Sequence, residues 1–189
     1  MAATAPGKPA APPSNNRYIV LIAGIVGVLG MFQPLMEVGR GKLHIAVSAY
    51  ELSFGLSRTH KVVDAKIPLL VELKIPADIR STRDDIKLVL DASKHAALAY
   101  IPAALLLLIG VYAMFRKKLG RALGGAALLF GLASIAAYVG LRYGLAYGKE
   151  EEPILQRVQL HLALGAHVLL AIGIGAAIAG LASLLKPDR

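Results

Sequence analysis

Four long apolar stretches separated by polar segments dominate the pattern of hydrophobic and polar positions along this chain. Each runs for about 20 residues or more without Asp, Glu, Lys or Arg, the length that a helix needs to cross the hydrocarbon core of a bilayer. The predicted spans are residues 18–36, 96–115, 122–141 and 160–185. The pattern therefore predicts an all-α integral membrane protein, a four-transmembrane-helix bundle.

The first and last apolar stretches each raise a further question. A cleaved signal peptide is the alternative for residues 18–36, but the stretch is longer than the apolar region of a signal peptide and no small-x-small cleavage site follows it. The last charge-free window, residues 158–185, exceeds the length that a bilayer requires. We therefore expect an uncleaved first span and a fourth helix that tilts or projects beyond the membrane.

The polar segment of residues 37–95 predicts a small α+β cap. Leu43, Ile45 and Val47 are large and apolar, and they alternate with Lys42, His44 and Ala46, as in a half-buried strand. Residues 62–63 and 69–75 have the same character, with prolines that limit them to edges or ends of strands. These signals predict a small antiparallel sheet on the membrane surface.

Two helix starts are also predicted within this segment. Ser48 and Glu51 have the spacing of a capping box, which predicts a short helix through Leu56. Thr82, followed by two aspartates in the next turn, indicates a second helix from Arg83 into the second span.

Composition agrees with a membrane protein and excludes several other classes. Hydrophobic residues make up 56% of the chain, and the mean hydropathy is +0.60. Lys and Arg number 21 against 12 Asp and Glu, but much of the excess lies at span ends and in one short connection, which argues against a nucleic-acid partner. Cysteine is absent, which excludes disulfides and Cys-ligated metals, and Trp is absent, so any aromatic belt must consist of Tyr and Phe.

The distribution of positive charge predicts the orientation. Residues 1–16 are rich in Ala and Pro, which predicts a disordered cytoplasmic tail before a single membrane domain, residues 17–189. A four-span chain brings the positive charges to one side and the 37–95 and 142–158 segments to the other, so both termini are expected in the cytoplasm. The Ala-, Gly- and Leu-rich composition favours a bacterial inner (plasma) membrane. The positive charges in question are Lys8, Arg17, the cluster within residues 116–121, Lys186 and Arg189.

Small residues recur at four-residue spacing in the predicted spans, which lets helix backbones approach closely. We expect most of these rows to pack within the bundle rather than against another protein. The rows are Gly120 and Gly124; Ala127 and Gly131; Gly140, Gly144 and Gly148; Ala171, Gly175 and Ala179; and Ala176 and Gly180.

Polar side chains within or beside the spans form the candidate functional site, because each costs free energy in lipid unless it is satisfied. Gln33 and Glu37 would share a face of the first helix, and Ser134, Tyr138 and Arg142 a face of the third. We predict that they converge near the outer leaflet, with Glu37 and Arg142 as an ion pair. The predicted cluster is Gln33, Glu37, Tyr100, Ser134, Tyr138, Arg142 and His167.

Two interpretations of this cluster remain open. It could bind a lipid headgroup, a quinone or a small solute, or it could be a hydrogen-bonded clamp that sets helix register, which the pattern favours. Arg142 could instead extend to the interface and pair with the glutamates at 150–152. The basic cluster of residues 116–121 is explained by orientation alone and needs no ligand.

No motif for catalysis, metal binding or a cofactor is present. His161 and His167 are six residues apart and would not share a helix face, so they make a poor metal pair. The chain contains no metalloprotease, nucleophile-elbow, P-loop or dinucleotide-binding motif. We expect no catalytic, cofactor-binding or metal-ligating residues.

Four spans, both ends inside and a strand-bearing first outer loop resemble the claudin-like tetraspan plan. That family carries a Trp-containing motif and a Cys pair in its first loop, whereas this chain has neither Trp nor Cys. The resemblance therefore implies the arrangement of spans and no functional residue.

The sequence predicts a non-enzymatic accessory or scaffold protein that acts through its outer cap and helix faces. The expected partners are the lipid bilayer and either another membrane protein or a second copy of the chain. The alternative is a small transporter or a lipid- or solute-binding protein that uses the polar cluster, and an integral-membrane enzyme ranks third.

Overall fold

A computed structural model describes residues 15–40, 43–55, 95–151 and 159–186 of the chain, and it is mostly helical with one small sheet. Ala96–Tyr100 forms a 3-10 helix that leads directly into α3. The elements in chain order are α1 (Asn16–Gly30), β1 (Pro34–Arg40), β2 (Leu43–Ser48), α2 (Ala49–Phe54), α3 (Ile101–Phe115), α4 (Arg121–Glu151), β3 (Gln159–Leu162) and α5 (Leu164–Leu185).

In the described part of the chain, three helices are long and apolar enough to cross a membrane, which confirms that part of the prediction. They are Ala96–Phe115, which combines the 3-10 helix with α3, Arg121–Ala146 within α4, and Leu164–Leu185, which is α5. The first coincides with the predicted second span because charged or polar residues flank it at the points where the helix begins and ends. The remaining apolar helix, α1, has only 15 residues.

The prediction of a helical span through residue 36 is wrong at its C-terminal end, because α1 ends at Gly30. A turn follows at Met31–Gln33, and β1 begins at Pro34. Proline cannot donate a backbone hydrogen bond and disfavours helical backbone at the residue before it, so Pro34 ends the helix while the apolar sequence continues.

The three strands form an antiparallel sheet in the order β2-β1-β3. The predicted fourth span is therefore wrong at its N-terminal end, because residues 159–162 pair with β1 and the helix begins only at Leu164. The Ala163 amide extends this pairing by donating to the Leu35 carbonyl over 2.8 Å. With 22 residues, α5 is about 33 Å long, so the predicted excess length disappears.

The predicted strand and capping box after residue 42 are confirmed. Ile45 and Val47 of β2 are buried while Ala46 between them is exposed. Ser48 accepts a hydrogen bond from the Glu51 amide, and the Glu51 carboxylate accepts one from the Ser48 amide over 3.0 Å. The helix ends at Phe54, two residues earlier than predicted. The strands predicted at 62–63 and 69–75, the helix predicted from Thr82 and the predicted tail lie largely or wholly outside the described residues.

Helix α4 continues beyond the predicted span. Residues 142–151, which were predicted as part of an outer loop, belong to the same helix as residues 121–141. Charged residues bound the apolar stretch, but a charged side chain does not end a helix, and this segment holds neither proline nor a run of turn residues.

The pairs α4–α5 and α1–α3 pack with their backbones in close contact at glycines. A Cβ at Gly131 would lie 2.7 Å from the Ala177 amide nitrogen, and one at Gly180 would lie 2.5 Å from the Leu128 amide nitrogen. A Cβ at Gly24 of α1 would lie 2.4 Å from Leu107 Cα. Several predicted small-residue rows therefore do pack within the protein, whereas Gly120, Gly140, Gly144 and Gly175 have nothing within 4 Å of a Cβ among the described neighbours.

Hydrogen bonds show which helix termini lie together at the two ends of the packed helices. Arg17 at the start of α1 donates to the Lys117 carbonyl in the α3–α4 connection. Asn16 Nδ2 donates to Ser183 Oγ near the end of α5 over 3.1 Å. We call this the basic end. At the opposite end, which we call the sheet end, the Tyr50 amide donates to the Met31 carbonyl over 3.1 Å.

Candidate functional site

One ring contact joins two residues of the predicted polar cluster, Tyr138 and His167. Tyr138 lies on α4 and His167 on α5, and their ring centroids are 5.7 Å apart at an interplanar angle of 56°. Tyr138 is buried, whereas His167 is exposed. The structure thus brings together two residues that the sequence placed on different helices at similar depth.

The hydrogen bonding of His167 determines what its ring offers to a ligand. Nδ1 lies 3.0 Å from the Ala163 carbonyl oxygen one turn earlier in the chain. A carbonyl oxygen only accepts, so Nδ1 carries the proton, and in the neutral ring Nε2 is then the acceptor. The exposed histidine is therefore oriented by its own helix end and presents Nε2 to a hydroxyl or amide donor.

Among the described residues of the predicted cluster, Tyr100 is the one with a buried polar atom that lacks a hydrogen-bond partner. It ends the 3-10 helix and is only 3% exposed, and its buried hydroxyl has no hydrogen-bond partner among the described residues. Its ring lies 3.5 Å from where a Cβ on Gly30 would be, and Val168, the residue after His167, contacts the same position. Leaving a buried hydroxyl unpaired costs about 1–3 kcal/mol, so this oxygen is a candidate contact for a bound polar group.

Ser134 contributes nothing to the cluster beyond its own helix. It is fully buried on α4 and donates to the Phe130 carbonyl over 3.1 Å. This hydrogen bond satisfies the hydroxyl inside the helix, a common arrangement for serine at an apolar helix interface.

Among the described residues, no hydrogen bond, ion pair or ring contact joins Gln33, Glu37 or Arg142 to Tyr138 or His167. The prediction that Gln33 and Glu37 share a helix face is wrong, because Gln33 lies in the turn after α1 and Glu37 on β1. All three side chains are exposed. No salt bridge joins Glu37 to Arg142 in the described part of the chain. Glu37 instead lies directly opposite His161 of β3 in the sheet register.

Two exposed features are not predicted by the hydropathy pattern. One is the pair of Glu37 and His161, which only the sheet register reveals. The other is a set of three aromatic rings in tilted contact, Phe32, Tyr50 and Phe54, which we call the aromatic patch. The four-residue spacing of Tyr50 and Phe54 on the predicted short helix was a readable signal for part of it.

The chemistry available at the Tyr138–His167 contact is hydrogen bonding and ring stacking. Among the described residues, no group of three His, Cys, Asp or Glu side chains could hold a metal ion. An acceptor nitrogen beside an aromatic ring suits a hydroxyl or amide group carried by an apolar molecule.

Comparison with known proteins finds no matching family model, curated protein or solved structure for this chain.

Proposed function

We propose that this chain is a membrane protein whose helices α1, α3, α4 and α5 all cross the bilayer, and that it acts as a non-enzymatic accessory or scaffold protein. In this proposal both termini and the basic end face the cytoplasm of a bacterial cell, and the sheet end forms the outer cap. Its partner is another membrane protein or a second copy of the chain.

The packing of α1 supports its role as the fourth span. A Cβ at Gly24 would meet the backbone of Leu107, and a Cβ at Gly110 would meet the backbone of Leu21. Close backbone approach at glycines is typical of helices that associate within lipid. A helix in this contact with α3 shares the environment of α3, which is apolar enough to span.

The contacts at the basic end support the orientation. Arg17, Lys117 and Lys186 belong to three helix ends that meet there, and the α3–α4 connection contributes four positive side chains within residues 116–121. Positive charge in short connections favours the cytoplasmic side.

The observation that carries the scaffold proposal is a surface of α4 that no described residue covers. Gly140 and Gly144 are exposed and have no described atom within 4 Å of a Cβ. The large side chains of Leu129, Leu132 and Tyr143 on the same side are 61%, 53% and 72% exposed. Small residues flanked by large apolar ones provide a surface on which a second helix can pack closely.

Cysteine cross-linking tests this proposal, because the chain has no native cysteine. Gly144→Cys places one thiol on the open α4 surface, and Leu108→Cys places one on the exposed face of α3 as a matched control. A cross-linker with one thiol-reactive arm and one photoactivated arm, applied to native membranes, should give a discrete adduct with Gly144→Cys and none with Leu108→Cys. A monomer from both variants would contradict the scaffold role.

A second candidate function is supported by the contact of Tyr138 with His167 and by the unpaired hydroxyl of Tyr100. These residues would bind the polar head of a lipid, a quinone or a small solute, as a small transporter or binding protein does. The test is native mass spectrometry of the purified protein with its co-purifying small molecules. Loss of a bound species in both His167→Leu and Tyr138→Phe would support this candidate, and unchanged spectra would count against it.

A further inference from the structure

The aromatic patch joins the two segments that flank β1 and β2. Phe32 lies in the turn after α1, and its ring centroid is 5.1 Å from that of Tyr50 on α2. The ring centroid of Tyr50 in turn lies 5.5 Å from that of Phe54, one helical turn further along α2. The Phe32, Tyr50 and Phe54 side chains are 56%, 44% and 71% exposed. Together they form an apolar surface that the described residues do not cover.

This patch continues a row of exposed apolar side chains on α1. Ile22, Ile25 and Leu29 are 58%, 42% and 58% exposed and recur at helical spacing toward the C-terminal end of the helix, where Phe32 follows. If α1 crosses the membrane, this row faces the acyl chains. The patch is then continuous with the lipid-facing surface.

Helix α1 is too short to cross the hydrocarbon core alone, and the aromatic patch lies where the missing apolar length is needed. Fifteen residues rise about 22 Å, whereas the hydrocarbon core is about 30 Å thick. Apolar surface beyond Gly30 is needed for the first span to match its neighbours, and the turn with the patch lies at this position.

The backbone around the patch is hydrogen-bonded well enough to lie near lipid. The Met31 carbonyl accepts from the Tyr50 amide over 3.1 Å, and the Gln33 amide donates to the Gly30 carbonyl over 3.1 Å. The Glu51 carboxylate, the charge nearest the rings in sequence, is held back on Ser48 by the capping box. Irregular backbone is tolerated near the hydrocarbon only when its polar groups are satisfied in this way.

We propose that the aromatic patch is a membrane-interface anchor whose occupant is the headgroup and upper acyl region of the outer leaflet. Tyr and Phe replace the absent Trp in this role, with the rings in lipid and the Tyr50 hydroxyl toward the headgroups. The anchor completes the short first span and holds α2 along the membrane surface. It rests on the proposal that α1 crosses the bilayer.

Single tryptophans test the anchor cleanly because the chain contains none. The probes are proteoliposomes of phosphatidylcholine brominated either near the headgroup or near the acyl-chain end, with aqueous iodide as a third quencher. Phe54→Trp reports on the patch, Ile22→Trp on the middle of α1, and Leu108→Trp on the middle of α3. Ala46→Trp, on the exposed face of β2, is the matched control for water contact.

The expected result is a greater fractional loss of Phe54→Trp fluorescence with bromines near the headgroup than with bromines near the chain end. Ile22→Trp and Leu108→Trp should show the reverse order, and Ala46→Trp should respond to iodide alone. A patch tryptophan quenched only by iodide would overturn the anchor, and so would one quenched by none of the three, since protein would then cover it. If Leu108→Trp is quenched from the chain end and Ile22→Trp is not, the fourth span of the proposed function fails, independently of the patch result.

Discussion

Glu37 of β1 lies directly opposite His161 of β3, although 124 positions (161 minus 37) separate them in the sequence. The hydropathy pattern instead places Glu37 and Arg142 at the ends of helices, which is why it predicts an ion pair between them. In the structure the acidic side chain belongs to a sheet that joins the end of the first apolar stretch to the start of the last one. The exposed face of this sheet therefore carries Glu37 and His161 side by side.

Paired cysteines should distinguish this register from the ion pair predicted from the sequence. Residues directly opposite in an antiparallel sheet have Cα atoms about 4.5–5.5 Å apart, within the range that a disulfide spans. Glu37→Cys/His161→Cys should therefore lose both reactive thiols on mild oxidation, measured by the mass added on alkylation. Glu37→Cys/Arg142→Cys is the control and should keep both thiols, and efficient oxidation of this second pair alone would refute the register.

Two glycines of α4 should respond in opposite ways to the same substitution. Gly131→Ala forces a Cβ to within 2.8 Å of the Gly173 carbonyl oxygen, so α4 and α5 must separate, and we expect a loss of about 1–3 kcal/mol of stability. Gly140→Ala meets no described atom and gains helix propensity of about 0.5–1 kcal/mol. Unfolding in mixed detergent micelles, followed by circular dichroism, measures both. Equal destabilisation would mean that the Gly140 surface is already occupied.

The capping box of α2 should contribute measurably to the sheet end. Ser48→Ala removes the side chain that accepts from the Glu51 amide and leaves that amide unpaired, which costs about 0.5–2 kcal/mol at helix N-termini. Hydrogen exchange should rise at the amides of residues 49–54 while those of α5 stay protected. Ser48→Thr, which keeps the hydroxyl, is the control and should exchange close to the native rate.

The long helices could be predicted because membrane insertion depends on properties that are local in sequence. Ala96–Phe115 is apolar throughout and flanked by polar and charged residues, and composition alone determines such a boundary. The ends of α1 and α5 could not be predicted in this way. Leu35 and Leu162 are as apolar in a strand as in a helix, and only the pairing of β1 with β3 decides between the two.

The candidate site also combines features that are local in sequence, which could be predicted, with features that depend on strand pairing, which could not. Tyr138 and His167 could be predicted as neighbours because both are polar residues at a similar depth of a bundle that offers few such groups. Glu37 could not be placed, since its position depends on sheet register. The aromatic patch could not be predicted either, because it depends on α2 packing beside the turn after α1. The hydropathy pattern assigns that turn to the first span and α2 to the cap.

A substitution at Lys117 tests the backbone conformation of the α3–α4 connection. Its φ of 56° makes it the one non-glycine residue with positive φ among the described residues, and its carbonyl accepts from Arg17. A side chain in this conformation costs roughly 1–2 kcal/mol, so Lys117→Gly should stabilise the protein by about 1 kcal/mol or leave it unchanged. Lys118→Gly is the matched control, because it removes the same charge at a residue without positive φ and should not stabilise. Thermal unfolding in detergent compares the two, and a Lys117→Gly variant less stable than Lys118→Gly would show that the connection has a different backbone conformation.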